Sequence, residues 1–582
     1  MLCKILRSRL VVAVSIIIYL VAVFNFAFTV SATALQDPDC CWILALGKRI
    51  WHERRLPDRD PFSYSIALAR EGKGAFAGVP AADLPPCHFV AYQWLAETVF
   101  YGLYRINQGL IGEKASDEVS PGDAGTYTTR ADRRMKEVYG RGKRRIANEG
   151  APDMAACALT AFAAVMVVAA FMIVPLFYSR QQATSVLAGL GLVLLATWAA
   201  SFHFYLRPEL FSYLFLSIIA CLAVRLRVPD GDAATGDSKT VKLSLLAFCI
   251  TALWTNLHVG FVLAPLILLA TAAVLFLCRS EEANQKARAA LCAGLAALAA
   301  TALNPQGPAI WAYLPRLFFP SMNALIYELQ PVGAGEILSQ AFLPFTLFTG
   351  TAVLILLAVI FRLRHLKTSR RILLVFSVLV IAVSLAAGFA SRRLIPCSVL
   401  LVVCELFLVH ALFFDGAPEL FTRRRKMIAI VSTVFVAIGT AVFESSLFPP
   451  RIPQTSLGFL VPYDAMSFVE SKLPGNLLQG NLLNDPQFGD LMIWHLSKPP
   501  ALFIDTRFDA YGNKIVRDYF EMANCFAGWQ ELLDRHRIAW VFLPPYARLS
   551  VELEKSPSWK LLFKDSAAVI FLRSEDRSTS EE

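Results

Sequence analysis

A series of long apolar runs, separated by short polar segments, is the feature of this sequence that most constrains its fold. Hydrophobic residues make up 56% of the 582 residues and charged residues only 17%, whereas soluble domains carry about 25% charged residues. A run of about 20 apolar residues is long enough to cross a bilayer as a helix. The chain is therefore predicted to be a polytopic α-helical membrane protein.

The apolar runs predict eleven transmembrane helices. An odd number of spans places the two termini on opposite sides of the membrane. The predicted spans are 10–30, 154–178, 184–202, 208–226, 241–256, 259–278, 286–303, 341–361, 371–390, 394–414 and 427–445.

The basic residues indicate the orientation of these spans. The net charge is +10, and basic residues collect in short loops such as RLRHLKTSRR at 362–371 and RRRK at 423–426. Such loops stay in the cytoplasm under the positive-inside rule. The N-terminus is therefore predicted to be cytoplasmic and the C-terminus extracytoplasmic. Because topology accounts for the charge, nucleic-acid binding is not predicted.

Two segments are predicted to lie outside the membrane. The first is the loop 31–152, which is assigned to a transmembrane domain spanning 1–447 and contains a charged, flexible insertion at 112–151. The second is a soluble α/β domain, 448–582, with a mainly parallel sheet. Its expected strands are LLQGNLL, ALFID, IAWVFL and AAVIFL, and its expected helices cover 462–473, 485–497, 527–537 and 548–555.

Four aspartates follow the first predicted span and are candidates for acid–base chemistry. Asp37 and Asp39 lie in DPD, and Asp58 and Asp60 lie in DRDP. A carboxylate beside a bound hydroxyl or amine can act as a general base. Asp next to Pro also begins turns and caps helices. Spacing alone favours this structural role.

The other outward loops carry a second group of candidates. Arg207 suits bidentate binding of a phosphate or carboxylate, or it snorkels at the interface. Two arginines on the outer side oppose the positive-inside preference and indicate an anionic partner such as a lipid phosphate. The candidates for substrate binding are Arg207, Glu209, His258, Glu328, Arg392 and Arg393.

Several of these residues also have structural interpretations. His258 is a proton carrier or ligand, or a hydrogen-bonded structural group. Glu328 binds a sugar hydroxyl or a metal, or caps a surface helix. Asp505 ends the predicted strand ALFID and Arg507 comes two residues later, so they present ligand groups at a strand end or form a buried salt bridge. The sequence has no nucleotide-binding or zinc motif. No cofactor is assigned, and a divalent metal is left open.

Taken together, several motifs resemble the GT-C glycosyltransferases, a group of bacterial integral-membrane proteins. The chain is similar to the protein O-mannosyltransferases, the aminoarabinose transferases and the lipopolysaccharide-core galacturonosyltransferases. The resemblance covers almost the whole chain outside 112–151. It rests on DPDCCW, LPDRDPFSYS, QWLAE, RPELFSY, WTNLHVGF, NPQG, YELQP, SRR, FGDLMIW and FIDTRFDAYG, in this order.

The resemblance implies a mechanism and a location in the bacterial inner membrane. Such enzymes pass a sugar, with inversion, from a polyprenyl-phosphate donor to an extracytoplasmic glycan, lipid or protein acceptor. Asp39 matches the acidic residue that acts as base, supported by Asp37 and Asp60. Arg207, Arg392 and Arg393 match the arginines that hold the donor phosphate. Cys41 replaces the usual second aromatic residue beside Trp42, so acceptor binding is expected to differ.

The sequence therefore favours a lipid-linked-sugar glycosyltransferase. The alternative is a transporter or flippase of lipid-linked glycans. Transporters carry polar or broken helices near the midplane, whereas the predicted spans are nearly free of charge apart from Glu405.

Overall fold

The structure is a computed structural model. It describes residues 37–86, 88–110, 154–179, 183–228, 237–318, 326–360, 366–414 and 462–574, with scattered positions between 17 and 31. These residues belong to two compact units. The first unit draws on 1–34, 160–314 and 323–451, and the second on 35–159, 315–322 and 452–582. The loop that the sequence assigned to the transmembrane domain thus shares a unit with the C-terminal segment.

The helices that precede the C-terminal segment are numbered here in chain order. They are α1 (Asp39–Glu53), α2 (Tyr64–Arg70), α3 (Trp94–Leu110), α4 (Met154–Ser179), α5 (Ala183–Ala200), α6 (Glu209–Arg227), α7 (Asp237–Trp254), α8 (Leu263–Leu277), α9 (Glu281–Ala300), α10 (Ile310–Phe318), α11 (Leu343–Ile360), α12 (Thr368–Ala390) and α13 (Ile395–Phe414).

The C-terminal segment mixes helices with four strands. Its elements are α14 (Tyr463–Lys472), β1 (Asn481–Asn484), α15 (Pro486–His495), α16 (Phe508–Ala523), α17 (Trp529–Arg535), β2 (Ile538–Leu543), α18 (Arg548–Lys555), β3 (Trp559–Lys564) and β4 (Val569–Arg573).

The first unit has the character of a membrane protein. Within the part of the chain that the structure describes, six helical segments are long and apolar enough to cross a bilayer. They coincide with six of the predicted spans. The prediction of a helical protein with several apolar helices of membrane length is therefore confirmed, whereas the number eleven stays a prediction. The six are Ala155–Phe177, Glu209–Arg227, Val259–Leu277, Leu343–Ile360, Thr368–Ala390 and Arg392–His410.

The remaining predicted spans do not reach this standard or are only partly described. Helices α5, α7 and α9 occupy the predicted spans 184–202, 241–256 and 286–303. α7 and α9 begin with the charged sequences DSKTVK and EEANQKAR, which shortens their apolar length. The predicted span 427–445 lies outside the described residues, and 10–30 is described only at scattered positions.

Small side chains allow close packing within the first unit. Helix α9 packs against α7 and α8, and its buried positions are mainly alanine. A Cβ at Gly294 would lie 2.7 Å from a methyl carbon of Leu269 on α8. Such small residues let helix backbones approach each other, which favours association of apolar helices.

The sheet of the second unit is mixed, so the prediction of a mainly parallel sheet is wrong. The strand order is β1-β2-β4-β3. Only β1 and β2 pair in parallel, whereas β2–β4 and β3–β4 are antiparallel. The antiparallel β3–β4 pair joins adjacent strands across a short turn, a connection that needs no crossover helix. Strand β3 was not predicted at all.

The segment ALFID, which was predicted as a strand, forms only an isolated bridge. Ser63 of the first loop pairs in parallel with Leu502. Around this bridge, the Leu502 amide donates to the Phe62 carbonyl at 2.9 Å and the Tyr64 amide donates to the Leu502 carbonyl at 3.1 Å. The hydrophobic core of the unit therefore combines residues of the first loop, including Phe76, with residues of the C-terminal segment, including Tyr511.

The four helices that the sequence predicted in the C-terminal segment are present as α14, α15, α17 and α18. Helix α16 was missed. It is interrupted at Gly512, where φ is +74° and a Cβ would lie 2.6 Å from the Leu84 carbonyl carbon. Glycine is required at this position because of both its dihedral angle and this close approach.

Candidate functional site

The DPD motif begins helix α1, as its structural interpretation anticipated. Asp37 Oδ1 accepts a hydrogen bond from the Asp39 amide at 3.3 Å, which is typical of an aspartate that starts a turn. Asp39 is the first residue of α1 and is partly exposed. Asp37 therefore has a local role in the turn. Asp39, in the same unit, has a side chain that makes contacts with residues distant in sequence.

A threonine hydroxyl joins Asp39 to a second carboxyl group. Thr506 Oγ1 lies 2.5 Å from Asp39 Oδ1 and 2.7 Å from Asp490 Oδ2. The Thr506 amide also donates to Asp490 Oδ1 at 3.4 Å. Helix α15, which carries Asp490, packs against α1, and this packing brings the two carboxyl groups to the same hydroxyl. We refer to Asp39, Thr506 and Asp490 as the carboxyl bridge.

Asp490 is wholly buried. Burial raises the pKa of the Asp490 carboxyl well above its usual range, and the charges of Asp505 and Asp39 raise it further. Desolvation and like charges both disfavour a carboxylate, so these effects act in the same direction. Asp490 therefore favours its neutral form.

Asp60 is committed to a buried ion-pair network. Arg507 lies between two carboxylates, with Nη1 2.8 Å from Asp60 Oδ1 and Nη2 2.5 Å from Asp505 Oδ2. Asp60 Oδ2 also accepts from the amides of Phe62 and Ser63 at 3.1 and 2.7 Å. The Asp60 side chain is 1% exposed. These contacts give Asp60 and Arg507 a structural role in the second unit.

Glu97 is a buried acid that the sequence did not single out as a functional candidate. It lies on α3, where Gly47 of α1 is packed directly against its backbone: a Cβ there would be 2.1 Å from the Glu97 carbonyl oxygen. Burial raises the pKa of Glu97 to about 8, against smaller lowering effects of a hydrogen bond with Gln93 and the charge of Arg507. Glu97 is therefore mainly neutral at pH 7.

The Glu97 shift predicts a pH-dependent loss of stability. The unfolded chain releases this proton above the ordinary pKa of 4.5, whereas the folded protein keeps it up to about 8. Across this window wild type should lose about 1.4 kcal/mol per pH unit relative to Glu97→Gln. Thermal unfolding of full-length protein in detergent at several pH values measures the difference. The exposed Glu554→Gln is the control and should follow the wild-type slope; identical slopes for all three proteins would contradict the prediction.

In the first unit, Arg207 and Glu328 form an ion pair. Arg207 Nη1 donates to Glu328 Oε2 at 2.8 Å, and His203 Nε2 lies 3.4 Å from the same oxygen. Although burial raises the pKa of Glu328, the charges of Arg207 and His203 outweigh it and hold this pKa well below its usual range. Glu328 is therefore an anion, and it is bound by Arg207 and His203, which precede α6.

A second ion pair joins Glu209 to Arg393. Arg393 Nε donates to Glu209 Oε1 at 3.0 Å, and Nη2 contacts the same oxygen. The charge of Arg393 also contributes to the low pKa of Glu328, so the two ion pairs are electrostatically coupled. The Arg393 side chain is 39% exposed, whereas that of Glu209 is only 8% exposed.

The hydrogen bonds around His258 determine its tautomer. The Gly260 amide donates to His258 Nδ1 at 3.2 Å, so this nitrogen is an acceptor. The Ser212 hydroxyl then donates to it at 2.6 Å and accepts from Trp254 Nε1 at 2.7 Å. The proton of the neutral ring is therefore on Nε2, which lies 3.9 Å from Glu209 Oε1. Burial lowers the pKa of His258 to about 4 despite the opposing charge of Glu209.

Arg392 is distinguished from Arg393 by its surroundings. Its side chain is 4% exposed, and Nη2 lies 2.6 Å from Glu336 Oε2. The guanidinium carbon lies 3.8 Å from the ring centre of Tyr327 and 5.3 Å from that of Phe342. These contacts connect Arg392 to the segment after Ile326. Arg393 is the arginine of the pair that remains accessible.

Most of the predicted substrate-binding residues come together in the first unit. They form what we call the arginine cluster, which comprises His203, Arg207, Glu209, His258, Glu328 and Arg393. His203 was not among the candidates, although its position four residues before Arg207 was a signal. Within the described residues, no three His, Cys, Asp or Glu side chains converge to hold a metal ion.

Asp490 and Thr506 of the carboxyl bridge were not among the predicted site residues. Asp490 is the one acid inside the apolar helix sequence PQFGDLMIWH. A single acid among buried apolar positions was the available signal, because such a residue needs a polar partner. The contact of Thr506 with Asp39, in contrast, was not predictable, since these two residues are separated by 467 residues.

Comparisons with known proteins add no family assignment. No family model matches the chain, and a search of curated proteins finds no match.

Proposed function

We propose that this chain is a membrane glycosyltransferase of the GT-C type that transfers a sugar from a polyprenyl-phosphate donor to an extracytoplasmic acceptor, with inversion. The proposal includes eleven spans, a cytoplasmic N-terminus and an extracytoplasmic C-terminal segment in the bacterial inner membrane. The observation that carries it is the arginine cluster. It gathers polar residues from several separate segments of the unit that contains the long apolar helices.

The arginine cluster suits a phosphate group. An arginine fork binds phosphate bidentately, and the Arg393 side chain that carries such a fork is partly exposed. Glu209 and Glu328 balance the charges of Arg393 and Arg207, so the cluster is nearly neutral without its ligand. Binding a lipid phosphate there would replace a carboxylate contact of Arg393 rather than desolvate an unpaired arginine.

Asp39 is the proposed base. It is partly exposed and accepts a hydrogen bond from Thr506, whereas Asp60 is enclosed by Arg507 and backbone amides. A partly exposed carboxylate that a hydrogen bond orients can take a proton from an acceptor hydroxyl or amine. The donor phosphate leaves as the acceptor oxygen or nitrogen bonds to the anomeric carbon.

The direct test is sugar transfer by purified full-length protein in detergent. A panel of radiolabelled polyprenyl-phosphate sugars would be supplied with extracted cell-envelope glycans, lipids and proteins as acceptors. Label that moves to an acceptor supports the proposal. If no donor in the panel is consumed, while reconstituted vesicles accelerate movement of a labelled lipid-linked glycan between leaflets, the transporter alternative is correct.

Arg393→Gln should weaken donor binding about 10- to 100-fold, because a charge-assisted hydrogen bond contributes about 1.5–3 kcal/mol. The single substitution also leaves the buried Glu209 without its cation. The double variant Glu209→Gln, Arg393→Gln removes that unpaired charge and serves as the matched control. Stability should recover in the double variant while the KM for donor stays high. If the double variant recovered both the stability and the donor KM of wild type, Arg393 would act only as a partner of Glu209.

One feature of the bundle bears on the transporter alternative. Glu405 of α13 is buried and forms a bidentate pair with Arg227, with Nη1–Oε2 and Nη2–Oε1 distances of 3.0 and 2.5 Å. Charged residues inside a membrane often mark transport pathways. Arg227 is, however, the last residue of α6, and each of its two Nη atoms is paired with a Glu405 oxygen. That arrangement favours a structural connection between α6 and α13.

A further inference from the structure

The carboxyl bridge has more acceptors than its single hydroxyl proton can satisfy. Thr506 Oγ1 is within hydrogen-bonding distance of Asp39 Oδ1 and Asp490 Oδ2. A threonine hydroxyl carries one hydrogen, so it donates to one carboxylate only. The second contact becomes a hydrogen bond only if the other carboxyl group carries a proton and donates it to Oγ1. The geometry therefore requires one proton in addition to that of the hydroxyl.

The surroundings decide which carboxyl group carries this proton. Asp490 is 0% exposed, whereas Asp39 is partly exposed at the start of α1. The groups that face Asp490 include Asp39 and Cys41 from α1, together with Asp505, whose charge is paired with Arg507. None of these is a cation directed at Asp490. A charge is less costly on the partly solvated Asp39 than on the buried Asp490.

We propose that Asp490 is a positioning residue that holds one proton in the carboxyl bridge, donates it to Thr506 Oγ1, and thereby keeps the negative charge on Asp39. The Thr506 hydroxyl then donates to Asp39 Oδ1 and fixes the orientation of that carboxylate. Two carboxyl groups that share one proton at close range cannot both ionise readily, a pattern known from catalytic acid pairs. This inference rests on the proposed function only in giving Asp39 the role of base.

The consequence for the reaction concerns the proton of the acceptor. In the carboxyl bridge, the Thr506 hydroxyl contacts the Asp39 carboxylate at Oδ1. When the acceptor gives its proton to the Asp39 carboxylate, the O–H bond of the acceptor breaks and a new O–H bond forms on Asp39. The two carboxyl groups of the bridge then carry one proton each and no charge. Return of the proton to water restores the starting state.

Infrared spectroscopy of full-length protein in detergent tests the location of the proton without any transfer assay. A protonated carboxyl group has a carbonyl stretch that is separate from carboxylate absorption. At pH 7 wild type should show this signal from Asp490 and from Glu97. Asp490→Asn should remove one component, Glu97→Gln the other, and Asp39→Asn neither. Loss of a component in Asp39→Asn but not in Asp490→Asn would overturn the proposal, as would an unchanged spectrum in Asp490→Asn.

Two further variants test the proposal independently if Asp490→Asn affects folding. Thr506→Val removes the bridging hydroxyl and should shift the Asp490 carbonyl stretch, whereas Thr506→Ser keeps the hydroxyl and should leave it in place. Equal spectra for the two variants would contradict the bridge. Asparagine at 490 is nearly isosteric and can donate to Thr506 through its amide, so Asp490→Asn is expected to fold.

Stability gives a second readout of the same proton. The folded protein keeps the Asp490 proton above the ordinary pKa of 3.8, whereas the unfolded chain releases it. The ratio of the unfolding constants of wild type and Asp490→Asn should therefore rise tenfold per pH unit above that value, until the folded carboxyl ionises. A ratio independent of pH would overturn the proposal. An absence of sugar transfer in every variant would count against the proposed function and leave these two measurements unaffected.

Discussion

Asp39→Asn is expected to lower kcat/KM for sugar transfer by about 100- to 10,000-fold, the usual contribution of a general base. Asparagine cannot accept the proton of the acceptor. Its amide oxygen can still accept from the Thr506 hydroxyl, whose oxygen lies 2.5 Å from Asp39 Oδ1, so the bridge should persist. The measurement is the rate of transfer from a polyprenyl-phosphate sugar by purified full-length protein, together with its thermal unfolding.

Asp58→Asn is the matched control for this prediction. Asp58 belongs to the same loop and undergoes the same chemical change, yet it is exposed and contributes no contact to the carboxyl bridge or the Arg507 network. Its rate should equal that of wild type. If Asp39→Asn transferred sugar as fast as Asp58→Asn, Asp39 would have no part in the chemistry.

Arg507→Met is expected to destabilise the protein by about 3–5 kcal/mol, the cost of leaving a buried charge without its partner. Arg507 is 5% exposed and is the cation for both Asp60 and Asp505, whose side chains are 1% and 0% exposed. Methionine retains much of the volume beside Trp42 and Phe62, against which the guanidinium packs. The loss should therefore be mainly electrostatic.

A surface ion pair provides the control for Arg507→Met. Arg573 contacts Asp534, and their side chains are 38% and 61% exposed. Arg573→Met should cost less than about 1 kcal/mol, because exposed pairs contribute little. Thermal unfolding in detergent compares the two variants. Similar unfolding temperatures for both would show that the Arg507 network does not stabilise the second unit.

The segments that the sequence predicted best are those with a strong local pattern. Six predicted spans correspond to long apolar helices, because an apolar run of membrane length has no other stable conformation in lipid. The amphipathic helices 462–473 and 548–555 were likewise located within one or two residues. In both cases the prediction depends on the hydropathy of residues that are adjacent in the sequence.

The segments that were predicted poorly depend on distant partners. ALFID has the composition of a strand, yet it has only a single bridge to Ser63. Its Phe503 amide and Ile504 carbonyl are bonded by the side chain of Asn484 instead of by the backbone of a neighbouring strand. The direction of strand pairing also depends on the complete arrangement of the sheet. Composition indicates how well a segment fits a strand, but it does not determine which other strands will pair with that segment.

The candidate residues divide in the same way. By itself, the sequence determined that acids follow the first apolar run and that histidine, arginine and glutamate punctuate the loops between later runs. Only the tertiary structure decided which of them are neighbours. It paired Arg207 with Glu328 over 121 residues and Asp39 with Thr506 over 467 residues, and it enclosed Asp60 with Arg507. The physical reason is that hydropathy is a property of adjacent residues, whereas ionisation and hydrogen bonding depend on groups that folding brings together.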